Sequence, residues 1–231
     1  MKTVIGIIGA MDEEVAKLKE IMTEVTITSK ASMDFYQGKL KGKDVTVVKS
    51  GIGKVNAGIC AQILMEVFKA DCIINTGIAG SLNADINIGD LVFSTDAVQH
   101  DMDAVAFGYE VGQIPRMDVK AFPADKELLA LAQECSKDMD MSTFAGRVTT
   151  GDQFIANKEK KDWIVQNFGG YCTEMEGGAI AQAAYLNHVP FLIIRAISDK
   201  ADDSAHMDYS QFEAKAIEHS VLLLTRMIEK M

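Results

Sequence analysis

Three acidic residues, Glu14, Glu176 and Asp199, sit where the chain leaves a buried apolar run or opens a helix. Glu14 follows Val4-Ile5-Gly6-Ile7-Ile8-Gly9. Glu176 opens a helix within Glu174-Met175-Glu176-Gly177-Gly178, and Asp199 closes Arg195-Ala196-Ile197-Ser198-Asp199. Each alone has an ordinary structural reading. Glu14 and Glu176 complement a helix N-terminus, and Asp199 caps a turn. Gathered in one crevice, three carboxylates repel unless they serve a cationic or polyhydroxyl ligand or share protons. Such a trio suits cleavage of a sugar bond. One carboxylate deprotonates water, a protonated one assists the leaving group, and a third holds hydroxyls and stabilises positive charge on the ring. Glycosidases use two carboxylates for the first two tasks. Spacing alone does not choose between O-glycosides and N-glycosides.

The elements that must position these residues alternate between strand and helix. Residues 4–9 read as a buried strand rich in β-branched residues. Asp12 stands where a helix N-cap would, with Val15, Leu18, Ile21 and Met22 at helical spacing. Segments 24–29, 34–40 and 43–49 read as strands, with a Gly42-centred turn between the last two. A helix follows Gly51-Ile52-Gly53, marked by Val55, Ile59, Ile63, Leu64 and Val67. A short strand at 72–75 ends at Thr76-Gly77-Ile78-Ala79-Gly80. Strands also fit 90–99, 144–150 and 190–197, and helices fit 125–138, 176–187 and 210–230. Residues 152–170 are mixed. Residues 100–124 read as a long irregular loop that is functional or covers an interface. The alternation implies an α/β fold, one domain over 1–231, with a central mixed sheet flanked by helices.

Composition narrows the function. The 231 residues are 48% hydrophobic and 24% charged, so the chain can bury a core without a disulfide or metal staple. With 23 Lys+Arg against 33 Asp+Glu the net charge is −10, which disfavours nucleic-acid and anionic-membrane partners. No run reaches the ~18 apolar residues of a membrane span, and Asp12, Glu13 and Glu14 break the N-terminal run too early for a signal peptide. Cys60, Cys72, Cys135 and Cys172 form no CxxC pair and read as buried thiols of a cytoplasmic protein. The histidines are scattered, so no metal is implied. Two nucleotide motifs fail as well. A P-loop around Gly53-Lys54 would need Gly where Val48 stands and Ser or Thr where Val55 stands, and a dinucleotide fingerprint would need Gly where Asn56 stands.

Seven ordered blocks carry a more specific signal. They are Ile5-Gly6-Ile7-Ile8-Gly9-Ala10-Met11-Asp12-Glu13-Glu14-Val15, Ser50-Gly51-Ile52-Gly53-Lys54-Val55-Asn56-Ala57, Ile74-Asn75-Thr76-Gly77, Ala106-Phe107-Gly108-Tyr109-Glu110, Gly151-Asp152-Gln153-Phe154-Ile155, Glu174-Met175-Glu176 and Arg195-Ala196-Ile197-Ser198-Asp199. Together they resemble the bacterial 5′-methylthioadenosine/S-adenosylhomocysteine nucleosidases, of the purine nucleoside and uridine phosphorylase superfamily. The resemblance spans essentially the whole chain. It implies a partly barrel-like mixed sheet, a homodimer, no cofactor, and hydrolysis of the N-glycosidic bond to adenine and a thioribose. 5′-Deoxyadenosine is a further implied substrate.

By position, the resemblance implies that Glu14 activates water, Asp199 protonates adenine N7, and Glu176 grips the ribose hydroxyls. It implies that Phe154 stacks on adenine while backbone groups of Ile155 meet its polar edge. Met11, Met175, Ile52 and Tyr209 would line the ribose and alkylthio pocket, with Ser198 beside Asp199 at the substrate. Arg195 would orient Glu14 and solvent, and Phe107 would reach into the site of a partner subunit. Burial and neighbouring charge would raise the pKa of Asp199 and keep it protonated. Ile78 departs from a serine common in the family, and Ser81 from a glycine, which touches fine specificity rather than the reaction. A phosphate-dependent phosphorylase, an aminofutalosine nucleosidase and a non-catalytic nucleoside-binding protein remain open alternatives.

Overall fold

The computed structural model describes residues 3–203 and 205–231, without the side chains of residues 206–211 and 213. The β-branched run Val4–Gly9 forms β1, and the acid-rich segment after it winds into α1 (Asp12–Ile21). The N-cap of α1 is Met11 rather than Asp12, and Val15 and Leu18 turn inward while Ile21 stays exposed. β2 (Thr23–Lys30), β3 (Met33–Leu40) and β4 (Lys43–Lys49) lie close to their predicted bounds. Lys41 and Gly42 join β3 to β4 at φ of 51° and 78°, the positive-φ pair whose twist suits a two-residue hairpin. The chain continues as α2 (Lys54–Glu66), β5 (Cys72–Ser81), β6 (Leu91–Gln99), the two-residue β7 (Phe122–Pro123), α3 (Lys126–Cys135) and β8 (Thr143–Thr150). It ends with α4 (Lys158–Phe168), β9 (Cys172–Glu174), α5 (Gly177–Leu186), β10 (Phe191–Asp199) and α6 (Ala205–Lys230).

These strands form one mixed sheet that curls on itself. β5 pairs with β10, β10 with β6, β6 with β8 and β8 with β9, and β9 returns to β5. Five strands thus close a ring, and β1, β4, β3 and β2 extend from β5 as an open wing. Pairing is parallel in β5–β1, β1–β4, β5–β10, β6–β8 and β8–β9, and antiparallel in β3–β4, β2–β3, β10–β6 and β5–β9. The fold is the expected α/β sandwich with a partly barrel-like sheet.

Strand alternation builds two main cores. Along β10, Leu192, Ile194 and Ala196 join a cluster with Val15 and Leu18 of α1, Leu128 of α3 and Leu223 and Met227 of α6. Ile193 and Ile197 join the opposite cluster, with Cys60 and Leu64 of α2 and Ile180 and Ala184 of α5. Arg195 falls in the Ile193–Ile197 row and is fully buried.

The structure corrects several sequence expectations. β5 is ten residues long, because Gly77-Ile78-Ala79-Gly80 continue as strand instead of turning. β9, absent from the sequence pattern, has three residues, too few for a periodicity to show. The segment 152–170 holds α4, α6 begins at Ala205, and 100–124 contains a 3-10 turn at Val105–Phe107 as well as β7. The apolar face of α2 is rotated from the expected one. Ala57, Cys60, Ala61, Leu64 and Met65 face inward, while Val55, Ile59 and Val67 are exposed. Small residues face in because α2 packs on α5, which presents Ala181 and Ala184.

Candidate active site

Each predicted carboxylate is delivered by a different device. Glu14 is the third residue of α1, and its carboxylate folds back over the helix start. Oε2 accepts the N–H groups of Ala10 at 2.6 Å and Met11 at 3.1 Å, and Oε1 accepts that of Ile78 at 3.2 Å. Glu14 therefore does cap its helix, and its side chain also faces a cavity.

For Glu176 the ordinary reading fails. The N-terminus of α5 is capped by Glu174, whose Oε2 accepts the N–H groups of Glu176 at 3.1 Å and Gly177 at 2.7 Å. Thr150 adds to this end, its Oγ1 accepting Gly178 N–H at 2.6 Å while its hydroxyl donates to Glu174. Relieved of capping, Glu176 accepts Gly53 N–H at 2.9 Å and lies 3.7 Å from Arg195 Nη2. It also reaches the site from β9, which runs antiparallel to β5, and not from the carboxyl edge shared by β1, β5 and β10.

Asp199 depends on a bulge. Ile197 pairs with Ala79 and Asp199 with Gly80, leaving Ser198 as an extra residue in β10. A bulge breaks the alternation of side chains and re-aims the residue after it. Ala201 N–H donates to Oδ1 at 2.8 Å and the Ser198 hydroxyl to Oδ2 at 2.8 Å, which fixes the plane of the Asp199 carboxyl.

Arg195 lies behind this group and is not a wall of the cavity. Its Nη2 bonds Glu174 and, at 2.6 Å, Asn75 Oδ1. Its closest carboxylate is thus Glu174, and Glu14 lies beside it across Gly77. A Cβ on Gly77 would fall 2.0 Å from Arg195 Nη1 and 2.5 Å from Glu14 Oε1, so only glycine admits both groups.

Burial sets the electrostatics. It raises the pKa of Glu14, against the opposing pull of Arg195 and of the N–H groups of Met11, Ala10 and Ile78. Burial, with the charge of Glu174, pushes Glu176 up to about 7, despite Arg195 and Gly53 N–H. Burial also opposes the charge on Arg195, but Glu174, Glu176 and Glu14 outweigh it and hold the guanidinium above its ordinary range.

The three carboxylates open on a cavity of about 440 Å³, within the size range of small-ligand sites. Of the predicted site residues, Met11, Glu14, Ile52, Phe154, Met175, Glu176, Ser198 and Asp199 line it. Sequence reasoning missed Ala10, Ala79, Gly80, Thr173 and Glu174, which also line it, and Ile78 gives an apolar wall. The remaining expectations fall elsewhere. Ile155 is buried in a separate cluster with Val98, Ile164 and Phe168. Phe107 is 83% exposed and is not part of its own chain's cavity. Tyr209 lies on α6 with its side chain outside the described residues. Glu174 had a usable signal, because an arginine within an apolar strand requires a buried counter-charge.

A ring-closed mixed sheet with carboxylates around one apolar cavity defines a class, and the phosphorylase superfamily model matches residues 4–229. The 5′-methylthioadenosine/S-adenosylhomocysteine nucleosidase of Staphylococcus carnosus (strain TM300) is 43% identical over 228 residues, covering 98% of this chain and all of that one. The crystal structure of the Neisseria meningitidis nucleosidase of the same name, in complex with methylthio-immucillin-A, superposes with a TM-score of 0.96 at 35% identity. It covers 99% of this chain and 100% of its own. The futalosine hydrolase of Helicobacter pylori superposes at 0.95 with 32% identity, over 99% of this chain and 98% of that one. The chain belongs to the phosphorylase superfamily and, within it, to the 5′-methylthioadenosine/S-adenosylhomocysteine nucleosidases.

Removing one partner of a buried ion pair costs about 3–5 kcal/mol, because the other charge is stranded. Glu174→Ala is therefore expected to lower the unfolding free energy in urea by that amount, and Glu174→Gln by less. An unchanged urea midpoint for Glu174→Ala would refute the pairing.

Proposed function

We propose that the chain hydrolyses the N-glycosidic bond of 5′-methylthioadenosine and S-adenosylhomocysteine, and acts on 5′-deoxyadenosine in the same way. The observation that carries this reading is the convergence of Glu14, Glu176 and Asp199 on one cavity whose other walls are largely apolar. Methionine side chains and aliphatic carbons are suitable neighbours for a thioether. In this reading Glu14 takes a proton from water, and the N–H groups of Ala10, Met11 and Ile78 hold its carboxylate in place. Asp199 donates a proton to N7, so that adenine leaves neutral, and Ser198 and Ala201 fix its plane. Glu176 holds the ribose hydroxyls and gains strength as the ring becomes cationic, which favours the transition state over the ground state. Phe154 forms the face against which adenine stacks, and Ile155 serves through its backbone.

A carboxylate in the place of Glu14 disfavours phosphate as nucleophile, and the presence of all three acids disfavours a non-catalytic binding protein. The likeness to a futalosine hydrolase supports a second substrate reading, aminofutalosine, on the same residues. Adenine release from methylthioadenosine, adenosylhomocysteine, deoxyadenosine, aminofutalosine and inosine, with and without phosphate, separates these readings. Ribose 1-phosphate formed only with phosphate present would sink the hydrolase reading. Glu14→Gln and Asp199→Asn are each expected to lower turnover of methylthioadenosine by about 10²–10⁴-fold with nucleoside binding still measurable. Full activity in either variant would refute its role.

Glu14 and Glu176 must be ionised to act, and both titrate above the ordinary carboxylate range. A raised pKa means protonation on the way down from neutrality, so kcat/KM should fall as pH drops through about 7. The limb belongs to the interacting carboxylates together. A kcat/KM profile that stays flat until the ordinary carboxylate range would contradict it.

The protein acts as a cytoplasmic homodimer in this proposal, with Phe107 entering the partner's site. Exposed Ile52, Val55, Ile59, Val105, Phe107 and Leu186 supply apolar surface for a second copy, and the four thiols are free and buried. Val55→Asp should shift the elution of the protein from dimer to monomer, and Phe107→Ala should keep the dimer while raising KM. A wild type that is monomeric and fully active at assay concentration would overturn this arrangement.

A further inference from the structure

We infer that Lys54, Asp101 and Asp152 form a positioning ring that sets the separation of the two loops holding the nucleoside. The inference deepens the nucleosidase reading and rests on it. One loop, Gly51-Ile52-Gly53, lies between β4 and α2 and carries Ile52. The other, between β8 and α4, begins at Gly151 and carries Phe154. They are far apart in sequence and meet through three bonds that close on themselves. Lys54 N–H donates to Asp152 Oδ1 at 2.8 Å, Asp152 N–H donates to Asp101 Oδ2 at 2.9 Å, and Lys54 Nζ donates to Asp101 Oδ1 at 2.7 Å.

The ring replaces a missing local cap. The N-cap of α2 is Gly53, which has no side chain to offer, and Asp152 supplies the acceptor from the opposite loop. Gly53 permits this approach, since a Cβ there would fall 3.1 Å from Asp152 Oδ1 and its φ is +95°. The neighbouring N–H, that of Gly53, is the one that donates to Glu176. The ring therefore lies beside that bond without touching Glu176, and it fixes the loops bearing Ile52 and Phe154. Lys54 Nζ also donates to Gln99 Oε1 at 3.1 Å, and Gln99 bonds Gln182 of α5 at 2.7 Å, which ties the ring to the helix that Glu176 opens. Beside Asp101, the buried His100 imidazole packs against Gly151, where a Cβ would fall 2.4 Å from the ring.

Exposed ion pairs of this kind contribute little, but this one is shielded. The side chains of Lys54 and Asp101 are only 18% and 17% exposed. Burial opposes the charge on Asp101, yet Lys54 and Asp152 N–H outweigh it and hold the carboxyl below its usual range. None of the three side chains lines the cavity. Their effect should therefore appear in binding and not in the chemical step.

The test uses the full-length protein and the variants Lys54→Met, Asp101→Asn and their double. It measures kcat and KM for methylthioadenosine, the Kd of adenine by calorimetry, and the thermal midpoint. Each single variant should raise KM and the adenine Kd about tenfold, with the double no worse than the weaker single, as coupled residues behave. kcat should stay within about threefold and the midpoint within a few degrees, and Lys54→Arg should recover most of the binding. Unchanged KM and Kd would overturn the inference. So would additive losses, a fall in kcat at constant KM, or a loss of stability that Lys54→Arg shares. Adenine binding is read without turnover. A wild type that binds adenine but releases none from any nucleoside would sink the nucleosidase reading while the ring is still decided by Kd. A wild type that binds no adenine would overturn both.

Discussion

Arg195 is fully buried, and the carboxylates of Glu174, Glu176 and Glu14 surround it. Burial alone drives Glu14 and Glu176 toward protonation. One guanidinium among them changes the balance. Its direct bond to Glu174 satisfies the innermost acid, and its charge reaches Glu176 at 3.7 Å and Glu14 across Gly77. Planar geometry matters here, because Nη2 bonds Glu174 and Asn75 while Nη1 approaches Gly77. A lysine would offer a single point charge and no such division of donors. The charge of Arg195 thus pulls the pKa of Glu14 and of Glu176 down against the effect of burial.

The backbone around Arg195 is shaped to admit it. Gly77 leaves room for the guanidinium and Glu14, and Gly80 does the same for Asp199, where a Cβ would lie 2.7 Å from Oδ1. Both glycines belong to β5, the strand on which the closed ring and the open wing of the sheet converge. Glycine inside a strand ordinarily weakens it, and here it marks close approach of functional groups. The Ser198 bulge plays the complementary part in β10, breaking the alternation so that Ser198 and Asp199 both line the cavity.

The sequence made the long apolar strands and the three candidate acids legible, because β1, β4 and β10 are runs whose ends can be read. It did not make legible whatever depends on two segments meeting. Gly77-Ile78-Ala79-Gly80 reads locally as a turn, and only pairing with β10 on one side and β9 on the other holds it extended. β9 exists through its neighbours alone. The exposed row Val55 and Ile59 looks like a core face in the helical pattern, since periodicity records apolar spacing and not which side meets α5. Glu174 was masked by its neighbour Glu176, although the buried Arg195 called for a counter-charge.

The capping of α5 by Glu174 explains why two similar carboxylates are left with different free capacity. An ionised carboxyl offers about four lone-pair sites. Among the described residues, Glu14 spends three of them on backbone N–H groups, from Ala10, Met11 and Ile78. One site is left, which in the proposed reading serves a single water. Glu176 accepts one backbone N–H, from Gly53, because Glu174 has taken over the start of α5. Glu176 lines the cavity with acceptor capacity to spare, which in the proposed reading serves two adjacent hydroxyls. Had Glu176 capped its own helix, it would have been as restricted as Glu14, and neither carboxylate would have offered the cavity more than a single acceptor.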